Sequence, residues 1–83
     1  MSRLCEWGML IEDVALTATR EPLSFIWLHR RHVVYRIDNH WEVDQWAEGI
    51  VREYFFVITT SDLALDLFRN CLTDTWFIQR LYD

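Results

Sequence analysis

Three histidines and a pair of arginines are the residues of this chain whose types and spacing could do chemistry. His29 and His32 flank Arg30 and Arg31, and one metal ion could bridge two imidazoles on either side of a turn. A stable metal site needs three or four ligands at suitable spacing, however, and the chain has no Cys-x-x-Cys or His-x-x-x-His motif. We therefore predict no metal site and no cofactor.

The sequence favours a protein that is not an enzyme. It has no Gly-rich phosphate loop, no Gly-x-Ser-x-Gly and no His-Glu-x-x-His. A chain of 83 residues also has little volume for a substrate pocket of about 300 Å³ or more. The enzymatic alternative uses His29, His32 or His40 as a general base, and a pocket lined by two of them would favour it.

The basic residues are all arginine, in a chain whose formal net charge is −5. That charge argues against bulk attraction to phosphates, although Arg30 and Arg31 form a local positive spot. Single-strand binders stack bases on exposed rings beside basic residues; here the rings would be Trp27, Tyr35, Trp41, Tyr54 and Phe56, beside Arg30, Arg31, Arg36 and Arg52. The alternative is that strands favour aromatic residues for packing alone.

The candidate site for nucleic acid or another partner follows from these residues. It consists of Trp27, His29, Arg30, Arg31, Arg36 and Trp41.

Length and composition predict a single domain, residues 1–83, with more aromatic surface than its core can hold. The chain is 52% apolar and 16% aromatic, with five tryptophans. A contiguous exposed apolar patch on a small protein usually marks a contact site. We therefore expect a protein partner or self-association, with nucleic acid as the alternative partner.

Two cysteines, Cys5 and Cys71, do not make a disulfide framework, and we expect both to be reduced. No stretch of the chain approaches the roughly 20 apolar residues that span a bilayer, and no secretory signal is apparent. The sequence therefore predicts a cytoplasmic protein without membrane contact.

The first half of the chain predicts three strands. The segment HVVYRIDNHWEV (32–43) alternates, with Val33, Tyr35 and Trp41 on one parity, as in a strand with one buried and one solvated face. Residues 23–29 form the strand before it, joined by a hairpin that turns at Arg30 and Arg31 or by a four-residue loop that includes both histidines. A further strand runs from about residue 10 to 19, followed by a turn at residues 20–22.

The second half predicts a short loop or single helical turn over 44–50 and then a strand over 52–60 whose two faces are both apolar, as in a barrel or a covered sheet. Residues 61–72 fit a helix or a strand, and their extended neighbours favour the strand. The apolar residues up to the last position indicate a docked final strand, paired with the first strand or with a second chain. The fold class is all-β: a five- or six-stranded antiparallel meander forming a small barrel or a strongly curled sheet.

The succession of Trp41, a short loop with Trp46, REYFFVITT, LALDLFRN and TWFIQRLYD resembles a small uncharacterised bacterial domain, as does PLSFIWLHRRHVVYRI. That domain occurs alone and, in related form, at the C-terminal end of inactive Y-family DNA polymerase homologues of bacterial mutasomes. The resemblance covers residues 22–83, except that the turns at 28–31 and 60–62 lack the family's glycines. It implies a role linked to DNA-damage tolerance, no catalytic residues and no cofactor. The positions that match by type are Trp41, Arg52, Tyr54, Trp76, Tyr82 and Asp83. The resemblance implies that these residues support the fold, and that Asp83 would accept a hydrogen bond from a donor at a buried or edge position.

Overall fold

Six strands form an antiparallel meander that closes on itself as a barrel. The computed structural model describes the backbone of residues 2–82 and the side chains of residues 8–82. The all-β prediction is confirmed, with six strands and a closed barrel. The strands are β1 (Ser2–Leu16), β2 (Pro22–Trp27), β3 (Arg30–Gln45), β4 (Ile50–Thr59), β5 (Ala64–Asn70) and β6 (Thr75–Tyr82), and a 3₁₀ turn (Trp46–Glu48) joins β3 to β4.

The final strand closes the barrel. β6 pairs with β5 on one side and with β1 on the other, where Tyr82 lies opposite Ser2 and Trp76 lies opposite Ile11. The predicted docking of this strand is confirmed, and its partner is the first strand of the same chain. Asp83 lies outside the described residues.

The barrel interior is filled by alternate residues of the strands. Each apolar side chain fully buried in it contributes about 1.5–3 kcal/mol. Phe55 and Val57 of β4 point inward, while Tyr54 and Phe56 point outward and are half-buried, as predicted for a strand with two apolar faces. The buried cluster consists of Ile11, Phe25, Phe55, Val57, Leu65, Leu67, Trp76 and Ile78.

The ambiguous segment 61–72 contains a strand, β5, and not a helix. Leu65 and Leu67 point into the core, whereas Phe68 lies on the outer face and is still only 2% exposed. The single helical turn expected within 44–50 is also present, as the 3₁₀ turn. The strand within 61–72 follows from pairing, because β5 is hydrogen-bonded on both sides.

The prediction that β3 has one continuous buried face is wrong. Val33 and Tyr35 are exposed, whereas His32 is half-buried and stacks on Phe25 at 5.5 Å. The register against β4 shifts between residues 34 and 36 and again between 37 and 39. Each bulge adds a residue and exchanges the inward and outward parities, so no single face runs the length of the strand.

The β2–β3 hairpin turns at Leu28 and His29, so the prediction of a turn at Arg30 and Arg31, or of a four-residue loop, is wrong. Trp27 lies opposite Arg30, and both turn residues have positive φ, 53° for Leu28 and 60° for His29. Two successive left-handed residues form the hairpin turn that matches strand twist, and it normally selects Asn or Gly. Here cross-strand pairing imposes this conformation on residues that do not prefer it.

The bounds predicted for the first strand need correction. β1 begins at Ser2 and ends at Leu16, not at residues 10 and 19. It ends early because Thr17 closes a turn, in which its N–H donates to the Glu21 carbonyl at 2.8 Å and its carbonyl accepts from Arg20 N–H at 2.9 Å. It begins early because β6 supplies a pairing partner for its N-terminal residues.

Cys71 is a free thiol in the β5–β6 turn; the side chain of Cys5 lies outside the described part of the chain. Among the described residues, no helix is long and apolar enough to cross a bilayer.

Candidate interaction surface

Four of the six residues selected from the sequence lie together on the β2–β3 hairpin. Trp27 ends β2 and faces Arg30, while His29 occupies the turn. A shallow groove of about 200 Å³ is lined by Trp27, Leu28, Arg30 and His32. The hairpin therefore presents one ring and one arginine side by side.

The neighbouring arginines are committed to carboxylates. Arg31 donates to Ser24 Oγ at 2.8 Å and also bonds the Asp13 carboxylate. Arg36, which follows the first β3 bulge, donates to Asp38 at 2.8 Å. Exposed pairs of this kind add little stability, but they compensate the charge of Arg31, one of the two arginines of the positive spot, and that of Arg36.

Trp41 belongs to a different surface, a line of apolar side chains across the outside of the barrel. Cross-strand register places one of these residues directly opposite the next on five successive strands. We call this line the outer row; it consists of Trp41 (β3), Tyr54 (β4), Phe68 (β5), Phe77 (β6) and Leu10 (β1).

Ring contacts run through the outer row. Trp41 and Tyr54 stack at 5.1 Å, Tyr54 and Phe68 meet at 5.4 Å with a tilt of 37°, and Phe68 and Phe77 stack at 4.9 Å. Such pairs contribute about 0.5–1.5 kcal/mol beyond their buried area. The rings of the row therefore support one another, and Leu10, 59% exposed, continues the row into solvent.

Arg52 and Gly8 both lie against the centre of the row. The Arg52 guanidinium lies 4.4 Å above the Phe68 ring and donates to the Tyr54 hydroxyl at 3.1 Å. Gly8 passes under the row so closely that a Cβ there would lie 3.0 Å from Phe77 Cβ and 3.1 Å from the Phe68 ring. Only glycine fits, because its φ is also +81°.

A second outer cluster surrounds Asp66. Tyr82 donates its hydroxyl to Asp66 Oδ2 at 2.7 Å, and Arg80 lies opposite Asp66 and 5.8 Å from the Tyr82 ring. Burial, followed by the bond to Asp66, raises the pKa of Tyr82. Asp66 Oδ1 is buried without a hydrogen-bond partner among the described residues.

Charged residues occupy the barrel end beside Phe55. His40 stacks on Phe55 at 4.5 Å, and its Nε2 lies 2.9 Å from Glu53 Oε2, while Arg69 lies 3.5 Å from the other Glu53 oxygen. Burial lowers the pKa of Arg69, but the attraction of Cys71, Asp74 and Glu53 outweighs it, so the net shift is upward. The network places the Glu53–Arg69 ion pair and the His40–Glu53 contact at this end of the core.

One donor atom each from His40, Glu42 and Glu53 lies within 4.8 Å of the others. The sequence did not suggest this trio, because its members come together only through the β3–β4 register. Glu53 already contacts His40 and Arg69, so the arginine compensates the negative charge of its carboxylate and no metal ion is needed for that.

No family model, curated protein or solved structure matches the chain.

Two members of the outer row, Trp41 and Tyr54, were among the rings predicted from the sequence to be available to a partner, whereas Phe68, Phe77 and Leu10 were not. Phe68, Phe77 and Leu10 look like ordinary core positions in the sequence, because each follows or precedes an apolar neighbour. One signal for the outer row was available in the sequence. Segments 61–72 and 73–83 have apolar residues at both odd and even positions, whereas a strand with one buried face needs them only at alternate positions. Assigning them to a common line requires the register, which three bulged pairings determine.

Proposed function

We propose that this chain is a non-catalytic protein-interaction module that contacts its partner through the outer row. The observation that supports the proposal is the placement of four aromatic rings and Leu10 in register on the outside of a closed barrel. The buried cluster inside the barrel is made of other residues, so the outer row is not needed to fill the core. Trp41, Tyr54 and Phe77 are half-buried and Phe68 is buried, so Leu10, 59% exposed, is the part of the row most open to a partner. Exposed apolar residues that adjoin one another on a small protein are typical of a contact surface.

The groove beside Leu10 extends this surface. Leu10 and Leu28 are 59% and 73% exposed, and both line a depression of about 310 Å³ together with Ile26 and Trp27. A partner side chain seated there would bury both leucines next to the end of the outer row. Trp27, which lines this depression, is of a residue type that is enriched among the anchors of protein interfaces.

The nucleic-acid alternative has less support from the geometry. Arg31 and Arg36 each bond a carboxylate, and Arg52 lies over Phe68. Of the selected cluster, Arg30 stands beside Trp27 as the arginine best placed to meet a phosphate. Counterion release from so few cations yields weak binding, and the acidic net charge opposes it.

The wider assignments rest on the sequence. The link to DNA-damage tolerance rests on the resemblance to the mutasome-associated domain, and cytoplasmic location and the absence of catalysis are predictions of the same kind. His29 and His32 line separate grooves, an arrangement that favours binding over general-base chemistry at the hairpin.

Affinity capture with matched variants tests the proposal. The tagged chain is incubated with extract of the cells that produce it, and bound proteins are quantified by mass spectrometry for wild type, Leu10→Ser and Leu72→Ser. Leu72 is a matched control because it is 48% exposed and lies in the β5–β6 turn. We expect a protein that wild type and Leu72→Ser retain and Leu10→Ser loses.

Light scattering over a concentration series completes the test, because a second copy of the chain is the simplest partner. A mass that rises towards two chains in wild type and Leu72→Ser, but not in Leu10→Ser, would identify self-association through the outer row. If neither experiment detects a protein that depends on Leu10, the proposal is wrong.

A further inference from the structure

One edge of β3 is open over residues 38–45. β2 pairs with β3 only between Trp27↔Arg30 and Ser24↔Val33, and β4 pairs with its other side up to Gln45. In the described part of the chain, no strand pairs with the free side of residues 38–45. We call this segment the β3 edge; unpaired strand edges are templates for a further strand.

The backbone of Asp44 points towards the open side. Asp44 lies opposite Val51, whose carbonyl accepts from Cys71 N–H at 2.9 Å, on the side of β4 away from β3. In an antiparallel pair, residues that face each other without exchanging hydrogen bonds direct their N–H and C=O groups outward. Asp44 therefore offers both groups to an added strand.

His40 and Glu42 share this orientation because they have the same parity as Asp44. The His40 N–H accordingly bonds not to β4 but to Asn39 Oδ1, at 2.9 Å. Asn39 thus blocks the first outward donor of the β3 edge. Glu42 and Asp44 remain as the residues that would exchange backbone hydrogen bonds with an added strand.

The two faces of the β3 edge differ in chemistry. Trp41 and Val43 lie on the outer-row side and are half-buried, whereas Glu42 and Asp44 lie on the other side and are exposed. A strand added here would have alternate side chains beside the apolar pair and beside the two carboxylates.

We infer that the β3 edge binds an extended peptide segment in which basic and apolar residues alternate. The backbone of Glu42 and Asp44 would pair with the segment, their carboxylates would attract its Lys or Arg residues, and its apolar residues would extend the outer row beyond Trp41. This is strand addition, in which main-chain bonds give affinity and alternate side chains give specificity. It rests on the proposed function and names the chemistry of the partner.

Charge distinguishes this occupant from a second copy of the chain. Two β3 edges paired antiparallel would bring Glu42 and Asp44 of each copy against acidic residues of the other, in a protein of net charge −5. Like charges opposite each other destabilise a strand pair. A basic strand gains from the same carboxylates.

Binding of a defined peptide tests the inference. The probe has about eight residues, a common strand length, with Lys at alternate positions and Val, Ile and Tyr between them. The control peptide has the same composition, with the lysines in one block. Fluorescence anisotropy measures the binding of both peptides. We expect the alternating peptide to bind at least about tenfold more tightly than the control peptide, since only the alternating peptide places each side chain on its matching face.

One charge reversal at the β3 edge and one elsewhere separate site binding from general attraction. Glu42→Lys should weaken binding of the alternating peptide by about tenfold or more, and Asp62→Lys by less than about threefold, because Asp62 is an exposed carboxylate in the β4–β5 turn, away from the edge. Circular dichroism would verify that both variants keep the barrel. Equal losses from the two variants, or none, would overturn the inference.

N-methylated peptides test the backbone pairing itself. Methylation of alternate residues removes the N–H groups of one side of a strand, so only one of the two methylated series should lose binding. Retention by both series, or loss by both, would contradict strand addition.

The outcomes also separate this inference from the proposed function. If Leu10→Ser loses a captured partner while the alternating peptide fails to bind, the inference about the β3 edge is wrong and the interaction module stands. If the peptide fails and nothing captured depends on Leu10, both are wrong.

Discussion

Trp41 and Tyr54 lie directly opposite each other on β3 and β4, with ring centroids 5.1 Å apart and planes within 4° of parallel. Trp41→Ala removes this stack and opens the end of the outer row, so it should lower the free energy of unfolding by about 1–3 kcal/mol. Urea denaturation followed by circular dichroism measures the loss without depending on tryptophan emission.

Trp46 is the control for that substitution. It lies in the 3₁₀ turn and is 66% exposed. Trp46→Ala should change the free energy of unfolding by less than about 0.5 kcal/mol, as for most exposed positions. A loss equal to that of Trp41→Ala would mean that the stack with Tyr54 does not support the barrel.

Gly8 and Gly49 allow the close approach under the outer row to be measured separately from backbone strain. Both have positive φ, +81° and +69°, but a Cβ at Gly49 would meet nothing within 4 Å. Gly49→Ala should cost about 1 kcal/mol for the left-handed conformation. Gly8→Ala should cost about 1–3 kcal/mol more, because Phe68 and Phe77 must move.

Urea midpoints of the two alanine variants give this difference directly. If they unfold together, the space between β1 and the outer row is not limiting. A larger loss in Gly8→Ala that Phe68→Leu partly relieves would locate the clash at the Phe68 ring, whose Cε2 lies 3.1 Å from the added Cβ.

The β2–β3 turn stores strain that a substitution can release. Leu28 and His29 both adopt left-handed φ, which costs about 1–2 kcal/mol for a residue with a Cβ. Leu28→Asn with His29→Gly supplies the residues that this turn prefers, so the melting temperature should rise by about 4–8 °C per kcal/mol gained in a chain of this size.

A double alanine variant at the same positions is the matched control, since it removes both side chains but keeps both Cβ atoms. It should not share the rise. Equal melting temperatures for the two variants would show that the gain comes from removing exposed Leu28 and not from the turn conformation.

The sequence predicted the all-β class and the later strands, but it did not predict the bounds of β1, the bulges of β3 or the outer surfaces. Alternation and apolar density predicted β4 and the terminal strand, because local periodicity follows directly from which faces are buried. The outer row was not predictable in the same way. Phe68 and Phe77 become neighbours only through a register that contains a shift between residues 66 and 67, and bulges leave no clear pattern in a single sequence.

The turn between β2 and β3 shows that local sequence patterns can also mislead. Arg30 and Arg31 were predicted as its tip from the spacing between the apolar segment 23–29 and the alternating segment 32–43, although Arg is not a residue that such a turn prefers. Pairing of Trp27 with Arg30 and of Phe25 with His32 instead places the turn at residues 28 and 29. Consequently, two residues assigned to a solvated tip lie in a strand, and Arg31 reaches Asp13 and Ser24.

Tyr82 should make the stability of the barrel depend on alkaline pH. Folding raises its pKa above the ordinary value of 10.0, through burial and then through the bond to Asp66, while Arg80 acts in the opposite direction. The unfolded chain therefore loses this proton at a lower pH than the folded chain. The stabilisation is complete below the unfolded pKa and is lost as pH rises through the folded pKa.

Guanidinium denaturation of wild type and Tyr82→Phe at about pH 9 and about pH 11 measures this contribution. Phenylalanine keeps the edge contact with Phe56, whose ring centroid lies 5.1 Å from that of Tyr82, but it removes the hydroxyl that donates to Asp66. The two proteins differ in no other ionisable group, so all other contributions cancel in the difference. We therefore expect wild type to lose more stability than Tyr82→Phe between the two pH values, and parallel losses would show that the bond to Asp66 does not stabilise the fold.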